Sequence, residues 1–125
     1  MVVAIGTDLA KVSRVRDILQ RRGLGFAQRI LTATELQRYH QSGDGAAYLC
    51  RRFAAKEAMA KALGTGIGRG LSFQHIEILN NDLGAPVAKL NGFAAERMAE
   101  LGANHCHVSI SDEQEYALAF VVLSA

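Results

Sequence analysis

The 125-residue chain reads as an α+β domain in which an antiparallel sheet packs on one long central helix. Three observations carry that reading. Apolar residues recur at helical spacing through the first forty positions. An alanine-rich stretch from about Ala46 to Leu63 is long and dominated by the strongest helix former. After Gly70 the pattern changes to short alternating runs divided by turn residues, with one helical segment inserted.

Taken in order, residues 2–7 are mostly β-branched and apolar and form a short strand ending near Gly6. Leu9, Val12, Val15, Ile18 and Leu19 then describe a helix that runs to Arg22 and breaks at Gly23 and Gly25. Phe26 to Leu31 adds a helical turn or two, and Thr34-Glu35-Leu36 opens a short helix reaching about Gln41. The loop Ser42–Gly45 precedes the long helix. Phe73 to Leu79 alternates as a strand, Asn80–Gly84 is a turn, and Pro86 to Leu90 returns, with proline tolerated at its start. Phe93 to Leu101 is a helix closed by Gly102, and two strands surround Asp112-Glu113-Gln114-Glu115. The last strand, Tyr116 to Leu123, is apolar on both faces, so its outer side calls for a covering helix or a second copy of the chain. The whole of 1–125 is expected to be one domain, with no repeat or linker.

Composition narrows the function classes. No apolar run approaches the length of a membrane span, and Met1–Gly6 lacks the basic lead and apolar length of a secretion signal. Cys50 and Cys106 have neither metal-ligand nor disulfide spacing. A cytoplasmic protein with reduced thiols and no membrane partner is the expectation. The net charge of +2 is unevenly spread: residues 1–62 hold eleven Lys/Arg against five Asp/Glu, and residues 63–125 three against seven. Lys11, Arg14, Arg16, Arg21, Arg22, Arg29 and Arg38 form the basic excess, which is either a solvated helical face or a docking surface for a polyanion or an acidic protein.

Three places carry chemistry. Along Arg52 to Gly68, Phe53, Glu57 and Lys61 fall four apart on one helix face, with Arg52 and Lys56 on an adjacent stripe, and a loop containing Gly64, Thr65 and Gly66 follows. A carboxylate, a lysine one turn on and flexible backbone suit a metal and a phosphate; they equally suit a surface Glu–Lys pair followed by a glycine helix stop. Asp8 stands where the first strand gives way to helix, either as an N-cap or as a carboxylate aimed at a cation. Along His105–Asp112, alternation places His105, His107, Ser109 and Ser111 on one strand face and Cys106, Val108 and Ile110 on the other. Zinc held by the two histidines has no third ligand set by spacing.

Together, Gly6-Thr7-Asp8, the run Arg52-Phe53-Ala54-Ala55-Lys56-Glu57-Ala58 with Lys61, Gly64-Thr65-Gly66-Ile67-Gly68 and His107-Val108-Ser109 closely resemble the small bacterial holo-acyl-carrier-protein synthases, over essentially the whole chain. That resemblance implies a 4′-phosphopantetheinyl transferase-like fold. The activity it implies is Mg2+-dependent transfer of phosphopantetheine from coenzyme A to a serine of apo acyl carrier protein, releasing 3′,5′-ADP, in fatty acid biosynthesis. It also implies Asp8 and Glu57 as magnesium ligands and Lys61 at the coenzyme's phosphates. Arg52, Gly64, Thr65, Gly66, Pro86 and His107 would lie along the coenzyme site. The proton of the serine would pass either to a metal-bound water or to His107, and Asp112 receives no role. Acidic carrier protein would dock on Arg14, helped by Arg21 and Arg22. Finally, the resemblance implies a homotrimer with each active site between two subunits. The rival from another class, a small basic nucleic-acid-binding domain, lacks tryptophan and any recognition motif and would not need Asp8 with Glu57.

Overall fold

The computed structural model describes residues 1–125. It opens with strand β1 (Val2–Lys11), followed by α1 (Val12–Arg22), α2 (Leu24–Ile30), α3 (Ala33–Gln41) and the long α4 (Gly45–Leu63). A 3-10 turn at Phe73–His75 leads into the hairpin β2 (Ile76–Asn80) and β3 (Pro86–Leu90). Helix α5 (Gly92–Glu100) precedes β4 (His105–Asp112) and β5 (Tyr116–Ser124). The strands divide into two antiparallel sheets, one in the order β1-β5-β4 and the other the β2-β3 hairpin. The α+β class and the long central helix therefore stand as expected.

Helix α4 is the axis of the core. Asp44 caps its first turn by accepting from the Ala47 amide at 3.2 Å, and Gly64, at φ 81°, ends it in the left-handed region that only glycine enters without cost. Between these ends the alanines Ala54, Ala55, Ala58, Ala60 and Ala62 are buried, as are Ala117, Ala119, Val121 and Leu123 on the inner face of β5. Small side chains on both elements let backbones approach closely. The approach is closest at Gly6, where a Cβ would stand 2.0 Å from the Ala58 carbonyl oxygen and 2.7 Å from the Ala62 nitrogen. No side chain fits there. Cys50 lies in the same core, and burial pushes its thiol up to about 11, which leaves it an inert apolar filler.

Five local expectations are corrected. β1 continues past residue 7 to Lys11, because Asp8 to Lys11 pair with Ala119 to Tyr116 of β5. Leu9 belongs to the outward period of that strand and not to the helical stripe. Asp8 consequently caps nothing; the residue before α1 is Lys11, with no side-chain cap. α3 begins at Ala33, one turn signalled by a capping box: Thr32 Oγ1 accepts from the Glu35 amide while Glu35 Oε1 accepts from the Thr32 amide. At Phe73 the expected strand starts as a 3-10 turn, since Ser72 Oγ accepts from the Gln74 amide and His75 Nδ1 from the Ser72 amide. Local side-chain bonds there outcompete the ladder.

Candidate active site

The inward period of β1 carries Ala4, Gly6, Asp8 and Ala10 towards α4, which brings Asp8 beside the helix face bearing Phe53, Glu57 and Lys61. A groove of about 430 Å³ opens there between α1, α2 and α4, lined among others by Asp8, Arg14, Ile18, Phe26, Phe53 and Glu57. A second recess of about 270 Å³ shares Phe26, Phe53 and Glu57 and continues to Arg29, Ile67 and Phe73. Two carboxylates thus face one cleft. The sequence-derived grouping of Asp8 with Glu57 and Lys61 is a spatial fact.

The surface Glu57–Lys61 pair, one of the two readings this helix face allowed, is not what forms. Lys61 Nζ instead donates to Asp8 Oδ1 at 3.1 Å and to the Thr7 carbonyl at 2.9 Å, and none of the chain's ion pairs includes Glu57. Burial raises the Glu57 pKa above its ordinary value, the Asp8 charge raises it further, and Lys61 opposes both. A half-buried carboxylate that is repelled by its neighbour and makes no direct ion pair, beside a second carboxylate, is a donor set a divalent cation would suit. Hard oxygen ligands, few in number, fit magnesium, which fills its remaining positions with water and substrate oxygens.

The glycine loop is less free than its composition implies. The amides of Gly64 and Gly66 both donate to the Ala60 carbonyl, at 3.1 and 3.2 Å, and Thr65 Oγ1 donates to the Gly66 carbonyl at 3.0 Å. These residues close α4, so their amides are engaged with the helix and not with a ligand. The end of a helix is also electronegative. Two cations offset it: Lys61 in the last turn, and Arg97, whose Nε donates to the Leu63 carbonyl at 2.8 Å.

Other expected site residues lie apart from this cleft within one chain. His107 pairs across the sheet with Val122, which pairs with Ile5, so all three point to the outer face, opposite to Asp8. His107 Nε2 lies 3.1 Å from Ser124 Oγ. Pro86 lines a separate recess of about 150 Å³ with Arg51, Arg52, Asn80 and Asp112. Arg52 is only 4% exposed, donates to Asn80 Oδ1 at 2.6 Å and lies over the Tyr48 ring at 4.8 Å. Its neighbour Arg51, which drew no attention in the sequence, is the more exposed guanidinium, 3.6 Å from Asp112. Lys56, expected on a stripe beside Arg52, is wholly buried against Glu35. Arg14, Arg21 and Arg22 are exposed on α1 beside the main groove.

Residues 4–121 match the family model described as the 4′-phosphopantetheinyl transferase superfamily. The chain belongs to that superfamily. It is 51% identical to the holo-[acyl-carrier-protein] synthase of Shewanella amazonensis, with 98% of each chain covered. Its fold is similar to the crystal structure of the holo-[acyl-carrier-protein] synthase (AcpS) from Neisseria meningitidis, with a TM-score of 0.93, 41% identity and full coverage of both chains. A Bacillus anthracis holo-(acyl-carrier-protein) synthase, 36% identical at a TM-score of 0.84 over 100% of this chain and 99% of that one, was solved in complex with CoA (3′,5′-ADP). A transferase superfamily sets aside the nucleic-acid reading of the basic first half. No helix is long and apolar enough to cross a membrane.

Proposed function

We propose that this protein transfers 4′-phosphopantetheine from coenzyme A to a serine hydroxyl of apo acyl carrier protein, releasing 3′,5′-ADP, as a single domain over residues 1–125. The observation that carries the proposal is the meeting of Asp8 and Glu57 in one groove beside a basic helix, with Lys61 bonded to Asp8, in a chain of this superfamily.

Asp8 and Glu57 would hold Mg2+, which when bound supplies charge neutralisation on the pyrophosphate and orientation of the attacking hydroxyl. Lys61 has its side chain more than half exposed, so its ammonium can leave Asp8 and meet a phosphate oxygen where negative charge develops on the leaving group. Phe26, Phe53 and Ile67 line the cleft with apolar surface and exclude water from the transfer. Arg14 stands at the groove's rim, where an acidic carrier held by Arg14, Arg21 and Arg22 would present its serine to Glu57. The serine proton would pass to His107 or to a water, and the cation that Asp8 and Glu57 would hold would make such a water the better acceptor.

His107 and the Pro86 recess cannot serve the Asp8 cleft from the same chain. Their separation supports a homotrimer in which one subunit gives Asp8, Glu57 and Lys61, and the next gives His107 and the recess of Pro86. The exposed apolar outer face, with Leu118 43% and Phe120 44% exposed, supports the same assembly. A cytoplasmic location agrees with the substrates.

Mass spectrometry of apo acyl carrier protein incubated with the enzyme, coenzyme A and magnesium tests the reaction. The expected result is a gain of about 340 Da, abolished by a chelator. An unmodified carrier would refute the proposal.

A further inference from the structure

Lys56 stands one residue before Glu57 but points the other way, about 100° round the helix. Its side chain and that of Glu35 are both 0% exposed. An ammonium has three protons, and all three are engaged: with Glu35 Oε1 at 2.6 Å, the Ile30 carbonyl at 2.7 Å and the Phe73 carbonyl at 3.1 Å. Glu35 is equally saturated, its Oε1 also accepting from the Thr32 amide at 2.8 Å and its Oε2 from the Ile78 amide at 2.7 Å. One knot therefore joins the end of α2, the start of α3, the 3-10 turn and β2 to the middle of α4.

Stability alone does not account for such a knot. Desolvating two charges generally offsets their attraction, and a well-packed apolar pair would fill the space as well. Geometry offers the account. Ile30 and Phe73, whose carbonyls Lys56 holds, line the recess that faces Glu57, together with Phe26 and Arg29 of the same short helix. At seven residues, α2 is too short to hold its own position. A second tie lies outside the first: Gln74 Nε2 donates to the carbonyls of Leu31 at 2.8 Å, Gln28 at 3.2 Å and Arg29 at 3.3 Å. Both ties fasten the same joint, between α2 and the 3-10 turn.

We infer that Lys56 is a positioning residue: its three bonds fix α2 and the Phe73–His75 turn against α4 and so set the width of the recess in which substrate meets Glu57. The inference rests on the transferase reading given above. It assigns to the wall opposite Glu57 the alignment of the reacting groups, and to α1 the docking of the carrier. Loosening the wall then lowers turnover without weakening docking.

Two variants of the full chain decide it. Lys56→Met removes the central tie but strands the buried Glu35 carboxylate, so its fold is checked by melting. Gln74→Ala removes the outer tie from an exposed side chain and strands no charge. In the folded variants, kcat should fall about tenfold while KM for the carrier stays within twofold, since small misplacements of reacting groups are costly. Hydrogen exchange should quicken in residues 24–31 and leave β1 and β5 protected. Unchanged kcat in Gln74→Ala despite faster exchange of α2 would overturn the inference, as would an equal loss in both kinetic constants. A wild-type protein that transfers nothing would sink the transferase reading and this inference with it; failure confined to the variants sinks the inference alone.

Discussion

The two faces of the β1-β5-β4 sheet are built from the same strands and serve opposite ends. The inner face is small-sided and sealed: Gly6, Ala117 and Ala119 lie under the alanines of α4, and the carboxylate of Asp8 breaks the apolar surface beside Glu57. The outer face is larger-sided and open: Ile5 is 59% and Leu9 62% exposed, in register with Val122 and Leu118, and β4 adds His107, Ser109 and Ser111. Alternation along a strand sends neighbours to opposite faces. A single residue's step, from Thr7 to Asp8 to Leu9, therefore passes from the outer face to the Asp8–Glu57 cleft and back. The paired carboxylates sit where packing is tight, and the open face is apolar and uncovered within one chain.

The largest effects should come from Asp8 on the inner face and Glu57 across the cleft on α4. Asp8→Asn or Glu57→Gln should lower kcat/KM about 10³-fold while the protein stays folded, because each removes a proposed cation ligand and little packing. A loss below tenfold in both would separate the carboxylates from catalysis. The Pro86 recess, proposed as the neighbouring subunit's share of the site, enters through a mixing experiment. Arg51→Glu, in the Pro86 recess, should be inactive alone, yet subunits of Asp8→Asn and Arg51→Glu reassembled together should regain roughly a quarter of wild-type activity, since some interfaces then carry both intact halves. Recovery no greater than the sum of the two separate activities would mean that one chain supplies the whole site.

Next comes the seal itself. Gly6→Ala forces a methyl onto the Ala58 carbonyl and the Ala62 amide, both backbone atoms that cannot rotate away. A cost of about 3 kcal/mol in denaturant unfolding is expected, at the upper end for overpacking. The matching change on the outer face, Thr7→Ala, deletes only the bond from Thr7 Oγ1 to the Ala119 carbonyl and should cost about 1 kcal/mol. Equal costs would erase the contrast between the faces.

How far the sequence could be read follows the same division. Helix α4 and its glycine stop were legible because their signals are local: alanine content, spacing and a final glycine. Asp8 and Glu57 were paired through a motif that the fold then brought into one cleft. The end of β1 was not legible, because Leu9, Val12 and Val15 keep helical spacing whether or not Leu9 is helical, and only pairing with distant β5 decides. Lys56 was misplaced for a related reason. Beside Arg52 and Glu57 it looks like one more surface charge, and its partner Glu35 lies 21 residues earlier. The capping box from Thr32 to Glu35 was a readable clue to that neighbourhood. The split between the Asp8 cleft and His107 required knowing which face of the sheet each strand turns inward.

A smaller effect is expected at the rim of the groove. Arg14→Glu reverses a charge on exposed α1 without touching Asp8 or Glu57. It should raise KM for the carrier about tenfold, leave KM for coenzyme A within twofold, and have most of its effect at low salt. Arg16→Glu is the control, since Arg16 is already engaged with Asp44 at 3.1 Å and faces away from the cleft's carboxylates. Equal rises for both substrates with Arg14→Glu would assign the residue to the coenzyme instead.

The smallest expected effect is on stability, and its sign is informative. Glu57's folded pKa is raised above 4.5 by burial first and the Asp8 charge second, so the native state binds this proton more tightly than the unfolded chain does. The resulting stabilisation is full below the ordinary glutamate range and is lost as pH rises through the raised value. Glu57→Gln lacks this dependence, so its melting temperature should gain on wild type as pH climbs from acid to neutral, then hold level. The gain should be modest, because a half-exposed carboxyl is partly screened by water. Saturating magnesium should reverse the order at neutral pH: the cation binds the ionised pair and stabilises wild type, while Glu57→Gln gains far less. If magnesium raises both melting temperatures equally, Glu57 is no ligand, and the inner face's break in its apolar seal would need another purpose.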